Sequence, residues 1–193
     1  MSFKPLKQLR VVLGQPTPGA VPRHVVDDAC LEAYQRELDY VMRTLRRLGV
    51  DLDDVEDLAQ EVFLALRHTW LQYDPTRALK PFLFGIAFRV AASHRRKHWR
   101  EVPFATVDAP DRGPSPDRTF EANQARALVL GALDRIPLKR RAVLVMHDLD
   151  EIPVQDVAAT LDIPLFTAYS RLRKARRELE AAVTRVQGRR GGR

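Results

Sequence analysis

Apolar residues recur at helical spacing along most of the chain, and strand-type alternation is scarce. The clearest case begins at Val55, where apolar side chains follow at offsets of three, four, seven, eight and eleven residues: Leu58, Ala59, Val62, Phe63 and Leu66. This spacing places them on one face of an α-helix. Asp53 or Asp54 precedes that helix as a candidate N-terminal cap. The pattern predicts an all-α fold.

Turn residues divide the chain into separate helices. A first helix is predicted over about 27–48, ending at Gly49, and another over about 81–99, where Pro81 can occupy the first turn. Between them lies the turn at 73–75. Helices resume near residue 120 and break at three prolines: Pro137, Pro153 and Pro164.

A proline-rich stretch over 101–119 is the only credible linker between domains, with Pro103, Pro110, Gly113, Pro114 and Pro116. We therefore predict two small helical domains, over 26–100 and 120–185, joined by a flexible linker. A basic tail follows over 186–193. A basic extension precedes over 1–25, and two interpretations of it stay open, a disordered arm or a consequence of start-codon choice.

Charge is distributed unevenly along the chain. The net charge of +7 and the pI near 10 favour a polyanionic partner. Six acids and no base fall within 51–61, whereas five bases and no acid fall within 89–100. The linker region 101–124 carries −3 and the segment 125–193 carries +6. The segment 51–61 is thus suited to a basic partner, and the segment 89–100 is suited to nucleic acid.

Several classes of function have no support in the sequence. The chain has a single cysteine, Cys30, and no run of eighteen apolar residues, so we expect no internal disulfide, no membrane insertion and a cytoplasmic location. It lacks a Walker loop and GxGxxG, and 51–61 lacks the glycine of an EF-hand. His94 and His98 lack the glutamate of a zincin. We predict no catalysis, no metal and no cofactor.

The carboxyl-terminal part carries a helix-turn-helix pattern. A short helix over 153–161 is followed by a tight turn over 162–164 and then by a longer helix with one apolar stripe: Ala168, Leu172, Ala175, Leu179 and Ala182. In such motifs the second helix enters the major groove of DNA with its amino-terminal half. The alternative is a solvated basic helix within a bundle.

The face opposite this apolar stripe carries side chains suited to reading DNA. It holds Phe166, Ser170, Arg173 and Arg177, flanked by Tyr169 and Lys174. Arginine and lysine can pair with guanine, and serine can bond to several bases. Arg171 and Arg176 lie nearer the edges of the apolar stripe and are predicted to contact phosphates.

Two helices of the first domain also present unusual faces. On the helix from Val55, the outer side combines Asp57, Gln60 and Glu61 with Leu64. An apolar residue within an acidic face indicates a protein contact, although a purely solvated face is the alternative.

The helix over 81–99 places Phe84 and Phe88 on one flank and Phe82, Arg89 and Arg96 on the other, with Trp70 and Tyr73 just upstream. Rings stack on unpaired bases and cations follow the backbone of single-stranded nucleic acid. The alternative is that these aromatic residues belong to the core.

Taken in order, these segments resemble the extracytoplasmic-function (ECF) group of bacterial sigma factors, within the sigma-70 family. The matching stretches are DVEDLAQEVFLAL (54–66), YDPTRALKPFLFGIAFRVAASHRRK (73–97) and LDRIPLKRRAVLVMHDLDEIPVQDVAATLDIPLFTAYSRLRKARREL (133–179). The resemblance covers about residues 27–100 and 120–183. It implies a transcription initiation factor that binds core RNA polymerase and promoter DNA and is commonly held by an anti-sigma factor.

The resemblance also assigns roles to residues. The first domain is similar to region two, whose acidic helix docks on the β′ clamp helices: here Asp54, Asp57, Gln60 and Glu61, with Leu64 among them. Its second half is similar to the part that reads and melts the minus-ten element: here Tyr73, Phe82, Phe84, Phe88, Arg89, Arg95, Arg96 and Lys97. The linker is similar to one that threads toward the RNA exit channel.

The second domain is similar to region four, which contacts the β flap and reads the minus-thirty-five element. The corresponding residues here are Phe166, Thr167, Tyr169, Ser170, Arg171, Arg173, Lys174 and Arg177. Many members have Asn at the position of Arg89, Asp at that of Ser93, and a Gly-Thr-Val-basic run at 166–169. The competing hypothesis is a helix-turn-helix regulator that does not join polymerase.

Overall fold

This computed structural model describes residues 23–101 and 119–188. Within those ranges the chain forms seven α-helices and no strand. They are α1 (Arg23–Arg47), α2 (Val55–Thr69), α3 (Leu79–Glu101), α4 (Thr119–Asp134), α5 (Leu138–Leu144), α6 (Val154–Thr160) and α7 (Leu165–Gly188). The predicted all-α class is confirmed. Nearly all of the predicted linker, most of the 1–25 extension and most of the basic tail lie outside the described residues.

Two searches of the described residues gave negative findings. No helix in 23–101 or 119–188 is long and apolar enough to cross a membrane. Across the same ranges, no three or more His, Cys, Asp or Glu side chains gather in a way that could hold a metal ion.

Helices α1, α2 and α3 pack against one another as a three-helix bundle. Each contributes fully buried apolar side chains to its core: Val41, Leu45, Val62, Leu66, Leu83 and Ala87. Phe84 of α3 is also completely buried. Its predicted place among the rings available to unpaired bases is therefore wrong, because α3 is covered by other helices on more than one side and its apolar face is wider than one stripe.

The start of α2 also differs from expectation. A 3₁₀ turn over Leu52–Asp54 leads into the helix, and the Asp54 carboxylate makes no capping hydrogen bond. Asp54 has helical backbone angles, φ −96° and ψ −10°, whereas a capping residue needs an extended conformation to reach the first N–H groups. The Asp54 carboxylate instead lies 3.3 Å from Nε2 of His94 on α3.

The second half of the chain contains the predicted helix-turn-helix, formed by α6 and α7. Pro137 and Pro153 stand immediately before α5 and α6, and Pro164 stands immediately before α7. A π-helical turn over Val145–Leu149 continues α5. Helix α7 packs on α4, α5 and α6, so the longest helix of this half rests on all of its neighbours.

The two halves are in direct contact and share one apolar core. Helix α6 packs on α3, and α4 packs on α1. Between the π-helical turn and α6, the side chain of Asp150 is only 6% exposed. It accepts a hydrogen bond from the Tyr40 hydroxyl at 2.9 Å and another from Nη1 of Arg47 at 2.7 Å. We call these contacts, together with the contact between Arg141 and Gly49 described below, the interdomain junction.

Arg141 is a second polar element of the interdomain junction. Its side chain is 1% exposed and donates to the Asp134 carboxylate at 2.7 Å and to the Ile136 carbonyl at 3.2 Å. Burial lowers the pKa of Arg141 to about 10, so it stays charged at neutral pH. Gly49, with φ +87°, lies directly against its guanidinium.

Replacing Gly49 with alanine tests this close approach. A Cβ at residue 49 would collide with Nη1 of Arg141, and the left-handed backbone is unfavourable for alanine. We expect Gly49→Ala to lower the free energy of unfolding by at least roughly 2 kcal/mol in urea titrations. Gly131→Ala is the control: a Cβ there meets nothing within 4 Å, and alanine should stabilise α4 by up to about 1 kcal/mol. Equal changes in the free energy of unfolding for the two variants would contradict the close contact between Gly49 and Arg141.

Replacing Phe84 with alanine tests its place in the core. Removal of a fully buried ring leaves a cavity, and we expect a loss of about 3–5 kcal/mol in the free energy of unfolding. The matched control is Phe166→Ala on α7, where the ring is exposed and the change should stay within about 0.5 kcal/mol. If both variants are as stable as the parent chain, Phe84 is not a core residue.

Candidate polymerase and nucleic-acid interfaces

The acidic face, defined here as Asp57, Gln60, Glu61 and Leu64 of α2, lies on the outside of the bundle. All four side chains are exposed, and Leu64 keeps 51% of its surface. The opposite side of α2 is buried in the core. The face therefore offers negative charge around an uncovered apolar side chain, a combination that suits a basic protein surface with an apolar centre.

Three aromatic rings line up where α2 leads into α3. The ring of Tyr73 stacks on Trp70, with centroids 5.3 Å apart, and lies tilted against Phe82 at 5.4 Å. All three side chains are half-buried. The sequence indicates Trp70 only as an aromatic residue just upstream of the predicted rings, without a site role. The structure joins it to the predicted rings through Tyr73.

The turn that carries Tyr73 is held by local hydrogen bonds. The Tyr73 hydroxyl donates to the Arg77 carbonyl at 2.6 Å. The Asp74 carboxylate accepts from the backbone N–H and the hydroxyl of Thr76, at 3.0 and 2.6 Å. These two hydrogen bonds lower the pKa of Asp74. The ring of Tyr73 is thus presented from a turn with its own internal bonding.

The basic side chains of α3 differ in exposure. Arg89, Arg96 and Lys97 are exposed, whereas Arg95 is half-buried, as is Phe88.

Helix α6 contacts the same side of α3 that carries Arg89. A Cβ built on Gly85 would lie 3.1 Å from Cγ2 of Thr160 in α6 and 3.7 Å from Nη1 of Arg89. One side of the predicted minus-ten surface therefore adjoins the interdomain junction.

Helix α7 turns its predicted DNA-reading face to solvent. Its apolar stripe is buried at Ala168, Leu172, Ala175 and Ala182, while Leu179 is half-buried. On the other face, five of the predicted side chains are exposed: Phe166, Tyr169, Arg173, Lys174 and Arg177. Thr167, Ser170 and Arg171 are half-buried. The five exposed residues predicted to read DNA thus share the solvent-facing side of one helix.

Two bidentate ion pairs fix the orientation of α7. Arg176 donates to both oxygens of Asp148, at 2.9 and 2.6 Å, and Arg140 does the same with Glu178 at 2.9 and 2.6 Å. The hydrogen bonds from Arg176 lower the pKa of Asp148. Arg176, for which a phosphate contact is predicted, is held in this bidentate pair while its side chain stays 55% exposed.

Comparison with known proteins places both halves in one family. The Sigma-70 region 2 family matches residues 33–101, and the Sigma-70 region 4 family matches residues 126–179. The chain is 27% identical to the ECF RNA polymerase sigma factor SigE of Mycolicibacterium smegmatis over 173 aligned residues. These residues cover 86% of this chain and 67% of that protein.

Two solved structures share the fold. One is CnrH in complex with the cytosolic domain of CnrY, with a TM-score of 0.60, 20% identity and coverage of 84% of this chain and 94% of that one. The other is RpoE in complex with the anti-sigma factor NepR from Bartonella quintana, with a TM-score of 0.58, 23% identity and coverage of 79% and 98%. With both regions matched in the same order, this chain belongs to the sigma-70 family of transcription initiation factors, in its ECF group.

Proposed function

We propose that this chain joins core RNA polymerase and directs it to specific promoters. The observation that carries the proposal is that one chain presents both an exposed acidic face on α2 and an exposed basic face on α7. A regulator that only bound DNA would use α7 and leave the acidic face and the rings beside α3 without a role. The direct test is whether the purified protein alone enables core polymerase to initiate at a promoter selected with the holoenzyme.

The acidic face is the surface we assign to polymerase. Asp57 and Glu61 would meet basic residues of the β′ clamp helices, and Leu64 would be buried between them. Asp54 contributes less freely than the sequence indicated, since its carboxylate lies beside His94. Region four would contact the β flap through the second half of the chain.

The two DNA elements are assigned to two helices. Helix α3 and the preceding turn supply half-buried rings at Tyr73, Phe82 and Phe88 and exposed cations at Arg89 and Arg96, which suit an unpaired strand. Helix α7 supplies exposed side chains suited to the major groove of the minus-thirty-five duplex.

These assignments require the interdomain junction to open. The minus-ten and minus-thirty-five elements are, by their positions, about 25 base pairs apart, or roughly 85 Å of duplex. Helix α6 touches both α3 and α7, and packed helices lie only about 8–10 Å apart. One chain with this junction intact cannot occupy both elements together. Separation of the halves is therefore part of the proposed function.

We further propose that an anti-sigma factor binds this chain, as the titles of the two structural neighbours describe for CnrH and RpoE. Because polymerase and promoter DNA are the proposed partners, we also propose a cytoplasmic location.

Charge reversal tests the acidic face. We expect Asp57→Lys with Glu61→Lys to weaken binding to core polymerase by about tenfold at low salt, mainly through slower association. The control is Glu32→Lys with Asp39→Lys on α1, which makes the same change in net charge at two exposed residues. Fluorescence titration at two salt concentrations measures the affinity. Equal losses in both double variants would mean that net charge, and not this face, governs binding.

Removal of two cations tests the α3 surface. We expect the double variant Arg89→Ala with Arg96→Ala to lower promoter opening by roughly an order of magnitude, because each substitution removes a contact with the backbone of the unpaired strand. Permanganate reactivity of unpaired thymines within the minus-ten element measures opening. Arg36→Ala with Arg43→Ala is the control, since these are exposed arginines with the same seven-residue spacing on α1. Wild-type reactivity in the α3 variant would remove this helix from promoter melting.

A further inference from the structure

Among the aromatic side chains that the structure describes, Phe166 is the most exposed. It is the second residue of α7 and is 83% exposed, and Tyr169, one turn later, is 50% exposed. Both rings border a shallow groove of about 510 Å³ that also involves Ser170, Arg173 and Arg177. Exposed apolar side chains that lie together, as Phe166 and Tyr169 do along this groove, mark an interaction surface.

The neighbours of Phe166 identify DNA as the partner. Ser170, Arg173 and Arg177 follow it at offsets of four, seven and eleven residues, so all four share one face of α7. Arginines along this face attract phosphates and guanine edges. Phe166 lies in the amino-terminal part of the recognition helix, the part that reaches base edges in the major groove.

The chemistry of a phenyl ring restricts what it can read there. It neither donates nor accepts a strong hydrogen bond, so the polar edges of guanine, adenine and cytosine offer it no match. Thymine is the one standard base with an apolar group in the major groove, its 5-methyl. Resting on the proposed function, we propose that Phe166 is a specificity-determining residue that contacts the methyl group of a thymine in the minus-thirty-five element.

The helix geometry also locates this thymine. Arg173 lies seven residues after Phe166, a rise of roughly 10 Å along α7. At about 3.4 Å per base pair, with the helix inclined along the groove, the thymine lies roughly two or three base pairs from the base read by Arg173. Ser170 lies between them on the same face.

Replacement of thymine by deoxyuridine isolates this contact, because it removes only the methyl group. A minus-thirty-five element is first selected from a random duplex library with holoenzyme containing the full chain. Each thymine is then replaced singly. We expect one replacement to weaken wild-type binding about fourfold, the effect of exposing one methyl group. Phe166→Ala should weaken binding to the thymine duplex by a comparable factor and be insensitive to that same replacement.

Val129→Ala is the control, since it shortens an exposed apolar side chain on a different helix, α4. This variant should retain the wild-type response to deoxyuridine. The inference is overturned if wild-type holoenzyme tolerates every replacement, or if Phe166→Ala responds to deoxyuridine as strongly as wild type does. It is also overturned if Phe166→Ala impairs assembly with core polymerase and leaves the deoxyuridine response intact. Failure of the holoenzyme to select any duplex would instead contradict the proposed function.

Discussion

The arrangement of the two halves depends on the hydrogen bonds that the buried carboxylate of Asp150 accepts. It accepts hydrogen bonds from Tyr40 and Arg47, residues 110 and 103 positions away in the chain. Lys80 lies over the ring of Tyr40, with Nζ 5.6 Å from the ring centroid. Burial outweighs the hydrogen bonds from these partners and raises the pKa of Asp150. A buried carboxylate is unfavourable without its hydrogen-bond partners. The bonds to Asp150 therefore fix one arrangement of an interface that is otherwise apolar.

This interface gives the molecule a single resting geometry that differs from the one its proposed task requires. It places α6 against the face of α3 that carries Arg89, while the outer face of α7 stays open to solvent. The duplex-reading surface is thus available before the two halves separate, and the α3 surface becomes fully available only afterwards. Any partner that favours separated halves, whether polymerase or promoter, must supply the free energy lost at the junction.

The reading helix itself is positioned by charge pairs rather than by apolar packing alone. Arg176 with Asp148 and Arg140 with Glu178 hold α7 at two positions within one helical turn, residues 176 and 178. Bidentate pairs fix rotation as well as distance, and rotation decides which side chains of a recognition helix face a groove. Arginines on one helix therefore divide into those that orient it, such as Arg176, and those left exposed, such as Arg173 and Arg177.

The local pattern of the sequence determined the helices, the helix-turn-helix and the outward position of Asp57, Leu64 and Phe166, because helical periodicity alone sets which side chains share a face. Tertiary packing decided the rest. Phe84 was predicted as a stacking ring and is core, since its burial depends on helices distant in the chain. Tyr40 and Asp150 carry no sequence signal of their roles, because an isolated polar residue gains a distant partner only when the two segments meet. Arg141 bonds to residues five and seven positions away, but its close contact with Gly49 also depends on the fold.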